Sequence, residues 1–274
     1  MRAFVVGSLT LCLLVASQTS HAAFCKFHAD RAGGLDLTGV ERVFISARAG
    51  ELEIRGSQSA RRIEARGAAC ASSQELLDQI QLQVEVRNGT AHVTAITPQP
   101  AAGGLLNISY AYLELGVALP AHLPVEVIDS SGDARLTGLA SLKIQDSSGD
   151  LIIKEIAGLV EVEDSSGDIE LAQAGAARID DSSGDIDIES IAHDVDIDDD
   201  SSGEISIDEV RGNVLIHNDS SGDIRVTEVT GNVKVESDSS GGIDVQDVGG
   251  DFVVERDGSG SIRHDGVKGR VELP

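Results

Sequence analysis

Residues 219–237 read DSSGDIRVTEVTGNVKVES, and the reading of this stretch decides the fold. Its apolar residues fall at Ile224, Val226, Val229, Val233 and Val235. Two short alternating runs, IxV and VxV, are β-branched, and turn residues stand before each: DSSG before the first, Gly231 before the second. Alternation puts Ile and Val on one face of a strand and Arg, Thr, Lys and Glu on the other.

The pattern recurs in a fixed register. The copy at 200 gives Ile205, Ile207, Val210, Val214 and Ile216; the copy at 181 gives Ile186, Ile188, Ile191, Val195 and Ile197; the copy at 238 gives Ile243, Val245, Val248, Phe252 and Val254. DSSGD stands at 129, 146, 164, 181 and 219, DSSGE at 200, DSSGG at 238 and DGSGS at 257. Successive copies begin 17, 18, 17, 19, 19, 19 and 19 residues apart, one supersecondary unit each and too short for a strand–helix–strand crossover. No unit can bury its apolar face alone, so stacking is required. The sequence therefore predicts an all-β fold, a single-stranded parallel β-helix or β-solenoid of about eight coils of 17–19 residues. The short copies at 129 and 164 lose residues only in their turns, around Leu139–Leu142 and Ala174–Ala177. Fixed faces with adjustable corners vary in this way.

The recurring DSSGD is then a corner. Gly supplies positive φ, and Asp and Ser side chains accept hydrogen bonds from nearby backbone amides. With coils stacked at ~4.8 Å, Asp129, Asp146, Asp164, Asp181, Asp200, Asp219, Asp238 and Asp257 form one row. Asp133, Asp150, Asp168, Asp185, Glu204 and Asp223 form a second. Charges that close repel by ~1 kcal/mol even in water, so amide donors or cations must offset them. The row is open to two readings: turn caps, or calcium held between coils by Asp181, Asp200, Asp219, Asp238, Asp185 and Asp223. The calcium reading departs from known patterns. The calcium-binding nonapeptide roll is GGxGxDxUx, whereas Gly and Asp are adjacent here, and the acidic run Asp196, Asp198, Asp199 and Asp200 lacks the Gly and distal Glu of an EF-hand. No other cofactor is expected.

The chain of 274 residues opens MRAFVVGSLTLCLLVASQTSHA, whose apolar run from Phe4 to Ala16 and small-x-small site read as a signal peptide over 1–22. That run is shorter than the ~20 residues of a membrane span, and no second stretch of spanning length occurs. The mature chain is expected to be exported, periplasmic or extracellular. Its two cysteines, Cys25 and Cys70, are expected to form a disulfide there, with two buried thiols as the alternative. Charge divides the mature chain in two. Residues 23–120 hold 9 Lys or Arg against 10 Asp or Glu, while 121–274 hold 11 against 36. The first part is read as a β-rich region and the second as the acidic solenoid, whose charge excludes nucleic acid and favours cations or basic partners.

Within the first part, Ala47–Glu51 in FISARAGELEIRG stands where DSSGD stands later. QLQVEVRNGTAHVTAI reads as a hairpin over Asn88–Gly89. SSQELLDQI is a helical turn or a loop, and TPQPAAGG at 97–104 a linker or long loop. This region is expected to cap the solenoid, because an open end is an aggregating edge.

SARAGELEIRG, then LELGVALPAHLPVEVIDSSGDARLTGL, then recurrent SSGDIxVxxVxGxVxV resemble a bacterial β-strand-repeat family named "putative adhesin", a domain of unknown function, over roughly 40–274. The resemblance implies an adhesin-like interaction or structural module of the cell envelope, with a protein or glycan partner. Enzyme signatures are missing: GxSxG, HExxH and GxxxxGK[ST] do not occur. The aromatic residues after the leader are Phe24, Phe27, Phe44, Phe252, Tyr110 and Tyr112, mostly outside the repeats, and the histidines (His28, His92, His122, His193, His217, His264) are scattered. His264 alone takes an inward register position, on the last coil. The reading is a non-enzymatic module; the alternative is a calcium-dependent β-helix enzyme acting on polysaccharide.

Overall fold

The computed structural model describes residues 25–99 and 109–274. The leader expected over 1–22 and residues 100–104 of the expected linker lie outside the described residues. The N-terminal region contains β1 (Phe27–Asp36), β2 (Arg42–Ser46), β3 (Leu52–Ser57), β4 (Arg62–Ala71), a short helix α1 (Gln74–Gln79), β5 (Gln81–Arg87), β6 (Thr90–Ile96) and β7 (Ala111–Pro120). The repeats continue with β8 (Val125–Ile128), β9 (Ala134–Thr137), β10 (Leu142–Gln145), β11 (Leu151–Glu163), β12 (Ile169–Asp180), β13 (Ile186–Ile191), β14 (Val195–Asp200), β15 (Ile205–Val210) and β16 (Val214–Asp219). The last coils hold β17 (Ile224–Val229), β18 (Val233–Val235), β19 (Ile243–Val248), β20 (Phe252–Val254), β21 (Ile262–Asp265) and β22 (Val271–Glu272).

Each 19-residue coil gives one strand to each of two parallel stacks. One runs β13, β15, β17, β19, β21 with Ile186, Ile205, Ile224, Ile243 and Ile262 in line. The other runs β14, β16, β18, β20, β22 with Val195, Val214, Val233, Phe252 and Val271 in line. The register read from 219–237 is the one observed: Val226 and Val235 are fully buried between the stacks. Each such Ile or Val side chain contributes about 1.5–3 kcal/mol on leaving water. The core is one continuous cluster from Val43 to Val254.

β11, in the copy at 146, and β12, in the short copy at 164, run through the second turn as single strands, and their pairing shifts register between Ile156 and Leu159. The residue missing from the turn of β12 is thus absorbed where the two stacks meet, not on an inward face.

Six consecutive coils, from the copy at 146 to the copy at 238, also carry a feature the composition hides. Glu155, Gln173, Ser190, Glu209, Glu228 and Asp247 take left-handed backbone angles, φ 54–61°. Each sits as a second consecutive outward residue before an inward one, as Glu228 does between Thr227 and Val229. The left-handed residue lets the strand bend and still deliver the next apolar side chain inward. A non-Gly residue there costs ~1–2 kcal/mol. Glu228→Gly is therefore expected to be more stable than Glu228→Ala by about 1 kcal/mol, while at Arg225, in ordinary extended backbone, Gly is less stable than Ala. Denaturant midpoints of the four variants check this; the same order at both positions would contradict the strain.

The N-terminal region closes one end of the stack. One edge runs β1, β4, β7, β3, β9, with β1–β4 and β4–β7 antiparallel. The other runs β5, β6, β2, β8, with β5–β6 an antiparallel hairpin whose Asn88 and Gly89 have φ 51° and 78°. The expected hairpin over Asn88–Gly89 is observed. SSQELLDQI forms α1, with the Ser73 hydroxyl accepting from Leu76 N–H at 3.3 Å. Cys25 and Cys70 are bonded, S–S 2.05 Å with Cα atoms 5.7 Å apart, tying the start of β1 to β4. No helix among the described residues is long and apolar enough to cross a membrane.

Candidate functional site

The DSSGD corners stack directly on one another. Gly222 has φ 147°, and a Cβ placed there would land on the Gly203 carbonyl oxygen of the previous coil. Only Gly meets both the angle and the approach. Its N–H donates to Ser240 O of the next coil, as Gly203 N–H does to Ser221 O and Gly184 N–H to Ser202 O. Gly50 belongs to the same column, its N–H reaching Ser131 O, so Ala47–Glu51 is a degenerate copy of the corner as read. The Ser at the third position completes it, as Ser221 Oγ donates to Ser201 O of the previous coil at 3.1 Å.

The leading carboxylates are inside. Asp129, Asp146, Asp164, Asp181, Asp200, Asp219 and Asp238 are each at most 6% exposed. Oδ1 accepts from the amides that come next in the chain: Ser182 N–H at 2.7 Å for Asp181, Ser202 N–H at 3.0 Å for Asp200 and Ser221 N–H at 3.1 Å for Asp219. Oδ2 of all seven reaches no hydrogen-bond partner and is shielded from water. Burying a carboxylate with one oxygen unpaired disfavours its charged form and raises its pKa. Burial, with the amides of Ser130 and Ser131 opposing it, pushes Asp129 up to about 6. Burial likewise takes Asp181 and Asp200 to about 6. Burial, together with the charges of Asp200 and Asp238 on either side, takes Asp219 to about 7. Asp146, Asp164 and Asp238 are raised too, burial being the largest cause.

The second acidic row is outside, and its charge is spent on backbone. Asp133 Oδ1 accepts from Asp150 N–H, Asp150 from Asp168, Asp168 from Asp185, Asp185 from Glu204 and Asp223 from Gly242, at 2.8–3.4 Å. The two rows anticipated at the corner therefore exist, but they face different media. Of the calcium candidates, Asp181, Asp200, Asp219 and Asp238 point into the corner and Asp185 and Asp223 cap amides on its outer side. The structure brings the first four into one buried column and does not converge them with the other two.

A third row was not read from the sequence. At the second turn, Asn213 N–H donates to Asp194 Oδ1, Asn232 N–H to Asn213 Oδ1, Asp251 N–H to Asn232 Oδ1 and Arg270 N–H to Asp251 Oδ1, at 2.7–2.9 Å. The signal was available: a polar Asn or Asp precedes the second VxV run in each of these copies. A fourth grouping lies on the outer face of β14 and β16, where Asp196, Asp198 and His217 each offer a donor atom within 4.8 Å of the others. It is the single such set of three among the described residues, and it is not at a corner. His264 lies at the last coil with its ring 6.1 Å from Phe252 and is exposed.

Comparison with known proteins matches a family model described as Toastrack DUF4097 to residues 40–268. Solved structures similar to the chain include a "putative adhesin" from Bacteroides fragilis, 14% identical, covering 91% of this chain and 98% of that one, TM-score 0.47. A "putative adhesin" from Parabacteroides merdae is 13% identical, covering 90% and 96%, TM-score 0.38. A "putative lipid binding protein" from Parabacteroides distasonis is 18% identical, covering 88% and 96%, TM-score 0.34. A search of the curated proteins returned no match.

Proposed function

The chain belongs to the Toastrack DUF4097 family, and on that premise we propose that it is an exported, non-enzymatic β-solenoid whose acidic outer faces form an interaction module of the cell envelope. The observation that carries this reading is the regular register of the coils. Outward positions on β13, β15, β17 and β19 repeat at one register, Asp187, Ser206, Arg225 and Asp244 in one line and Glu189, Asp208, Thr227 and Gln246 in the next. Catalysis needs one coil to depart from the rest, with a nucleophile or acid–base pair in a cleft; an even array suits repeated weak contacts that add by proximity. A net charge of −25 selects a cationic partner, whether protein or glycan. The Cys25–Cys70 bond supports an oxidising compartment, periplasmic or extracellular. The corner carboxylates serve as turn caps in this reading and need no calcium.

Residues 23–274, immobilised and presented with polylysine and with a glycan array, test it. Binding that falls as salt rises, and that weakens when Asp187, Asp208 and Asp244 are all changed to Asn, is expected. Calcium-dependent shortening of any polysaccharide on the array would instead establish the enzyme alternative.

A further inference from the structure

The 19-residue register places Asp198, His217 and Glu236 side by side on β14, β16 and the end of β18, with Asp196 two residues before Asp198 on the same outward face. His217 is held between them. Its Nδ1 lies 3.1 Å from Glu236 Oε2, in hydrogen-bond geometry. Its Nε2 lies 3.1 Å from Asp196 Oδ1 and 4.0 Å from Asp198 Oδ1.

The contact with Asp196 is unusual. That oxygen is shielded from water and makes no hydrogen bond although the ring nitrogen is 3.1 Å away. The two atoms therefore do not point at each other. Two donors that converge on one point instead, each ~2.0–2.2 Å from it, sit about 3–3.5 Å apart. In the neutral tautomer with its proton on Nδ1, donated to Glu236, the Nε2 lone pair is free to take a metal beside the carboxylate oxygens. This is the carboxylate–histidine–metal arrangement, in which the outer carboxylate sets the tautomer and orients the ring.

The geometry points to a divalent first-row metal site, zinc by preference, bound by His217 Nε2, Asp196 and Asp198, with Glu236 as the carboxylate behind the ring and the remaining positions left to water or to a partner's side chain. One imidazole with two carboxylates suits zinc better than calcium, which takes 6–8 oxygens. The competing charges are in view. Arg178 holds Asp198 through Nε–Oδ2 at 2.7 Å and Nη2–Oδ1 at 3.0 Å. Lys234 lies 2.8 Å from both Glu236 and Glu255. Arg178 therefore engages both Asp198 oxygens, and a metal bound at Oδ1 must displace the Nη2 bond while Nε keeps Oδ2. An imidazole binds metal only in its neutral form, so binding weakens as pH falls.

Isothermal titration of the folded chain with zinc chloride at pH 7.5 and 5.5 tests the site, with paramagnetic Co²⁺ shifts of the His217 ring as a second readout. The expected result is one zinc per chain at pH 7.5, binding at least about tenfold weaker at pH 5.5, lost in His217→Ala, weakened about tenfold in Glu236→Gln, and unchanged in His193→Ala. His217 is on the outer face, so circular dichroism should show His217→Ala folded. Zinc binding that survives His217→Ala, no binding at millimolar zinc, or calcium binding as tightly as zinc at this site would each overturn it, leaving His217 as a cation bridging three carboxylates.

Discussion

Lowering the pH from 8 to 5 is expected to raise the melting temperature of the folded chain by ten degrees or more, the reverse of ordinary acid destabilisation. The cause is the column of leading aspartates. Their pKa values are raised on folding, to about 6 for Asp129, Asp181 and Asp200 and about 7 for Asp219. A group raised above its unfolded value contributes stability that is fully present below that unfolded value, near 3.9, and is lost as pH rises through the folded one. The window is thus pH 4 to 7, and stability falls across it on going up. Raising one pKa tenfold in proton affinity corresponds to ~1.4 kcal/mol. Three aspartates near 6 and one near 7 together gain several kcal/mol on going from pH 8 to 5, which at ~2–4 °C per kcal/mol for a domain of this size exceeds ten degrees. Below about pH 4 the trend turns over. Asp198 and Asp251 are lowered, chiefly by Arg178 for the first and by the backbone and side chain of Arg270 for the second, and their contribution is lost as they protonate.

Asp219→Asn separates this column from the general relief of negative charge. The amide keeps an oxygen for Ser221 N–H and presents donors where the carboxylate had an unpaired Oδ2. The variant should melt higher than the parent at pH 8, no higher at pH 5, and show a flatter pH profile. Calcium at millimolar concentration should act only as the same ionic strength of sodium does. A lower melting point for Asp219→Asn at pH 8, or a calcium-specific rise, would mean that ionised Asp219 is what holds the corner.

The second large effect is in the core. Val226 is fully buried in β17, in line with Ile207 and Val245 of the adjoining coils. Val226→Asp puts a carboxylate there with no neighbouring amide turned toward it, and is expected to cost several kcal/mol. Arg225, one residue away, has a half-exposed side chain paired with Glu204 at 2.6 Å. Arg225→Asp loses that exposed pair and gains a like charge beside Asp244, at about 1 kcal/mol or less. Urea midpoints of the two variants make the comparison, and equal losses would reject the register.

That register was legible because the repeat is its own control: Ile224, Ile205, Ile186 and Ile243 could be aligned without a structure, and a slip of one residue would turn every one of them to solvent. The degenerate corner at Ala47–Glu51 and the hairpin at Asn88–Gly89 were legible for the same local reasons, Gly and Asn where positive φ is needed. The left-handed residues were not, since Glu228 and Gln173 carry no composition signal for that backbone. The two acidic rows could be drawn from the sequence but not told apart. Which way a corner side chain points depends on the sharpness of the turn, so Asp219 and Asp223 looked equivalent though one is buried and the other caps the amide of Gly242 on the outside. For the same reason the corners, where acidic residues are densest, stand out in the sequence as the place for a metal. His217 looked scattered because its neighbours, 19 residues either way, are adjacent only once the coils are stacked.

Buried aspartates with raised pKa values hold the recurring corner, and carbon-detected NMR of chains labelled at the aspartate carboxyl carbon reads this directly. A set of side-chain carboxyl signals should titrate between about pH 6 and 7 and vanish from that range in Asp219→Asn and its counterparts at 129, 181 and 200. Aspartate signals that all titrate near the ordinary 3.9 would show the column ionised and contradict it.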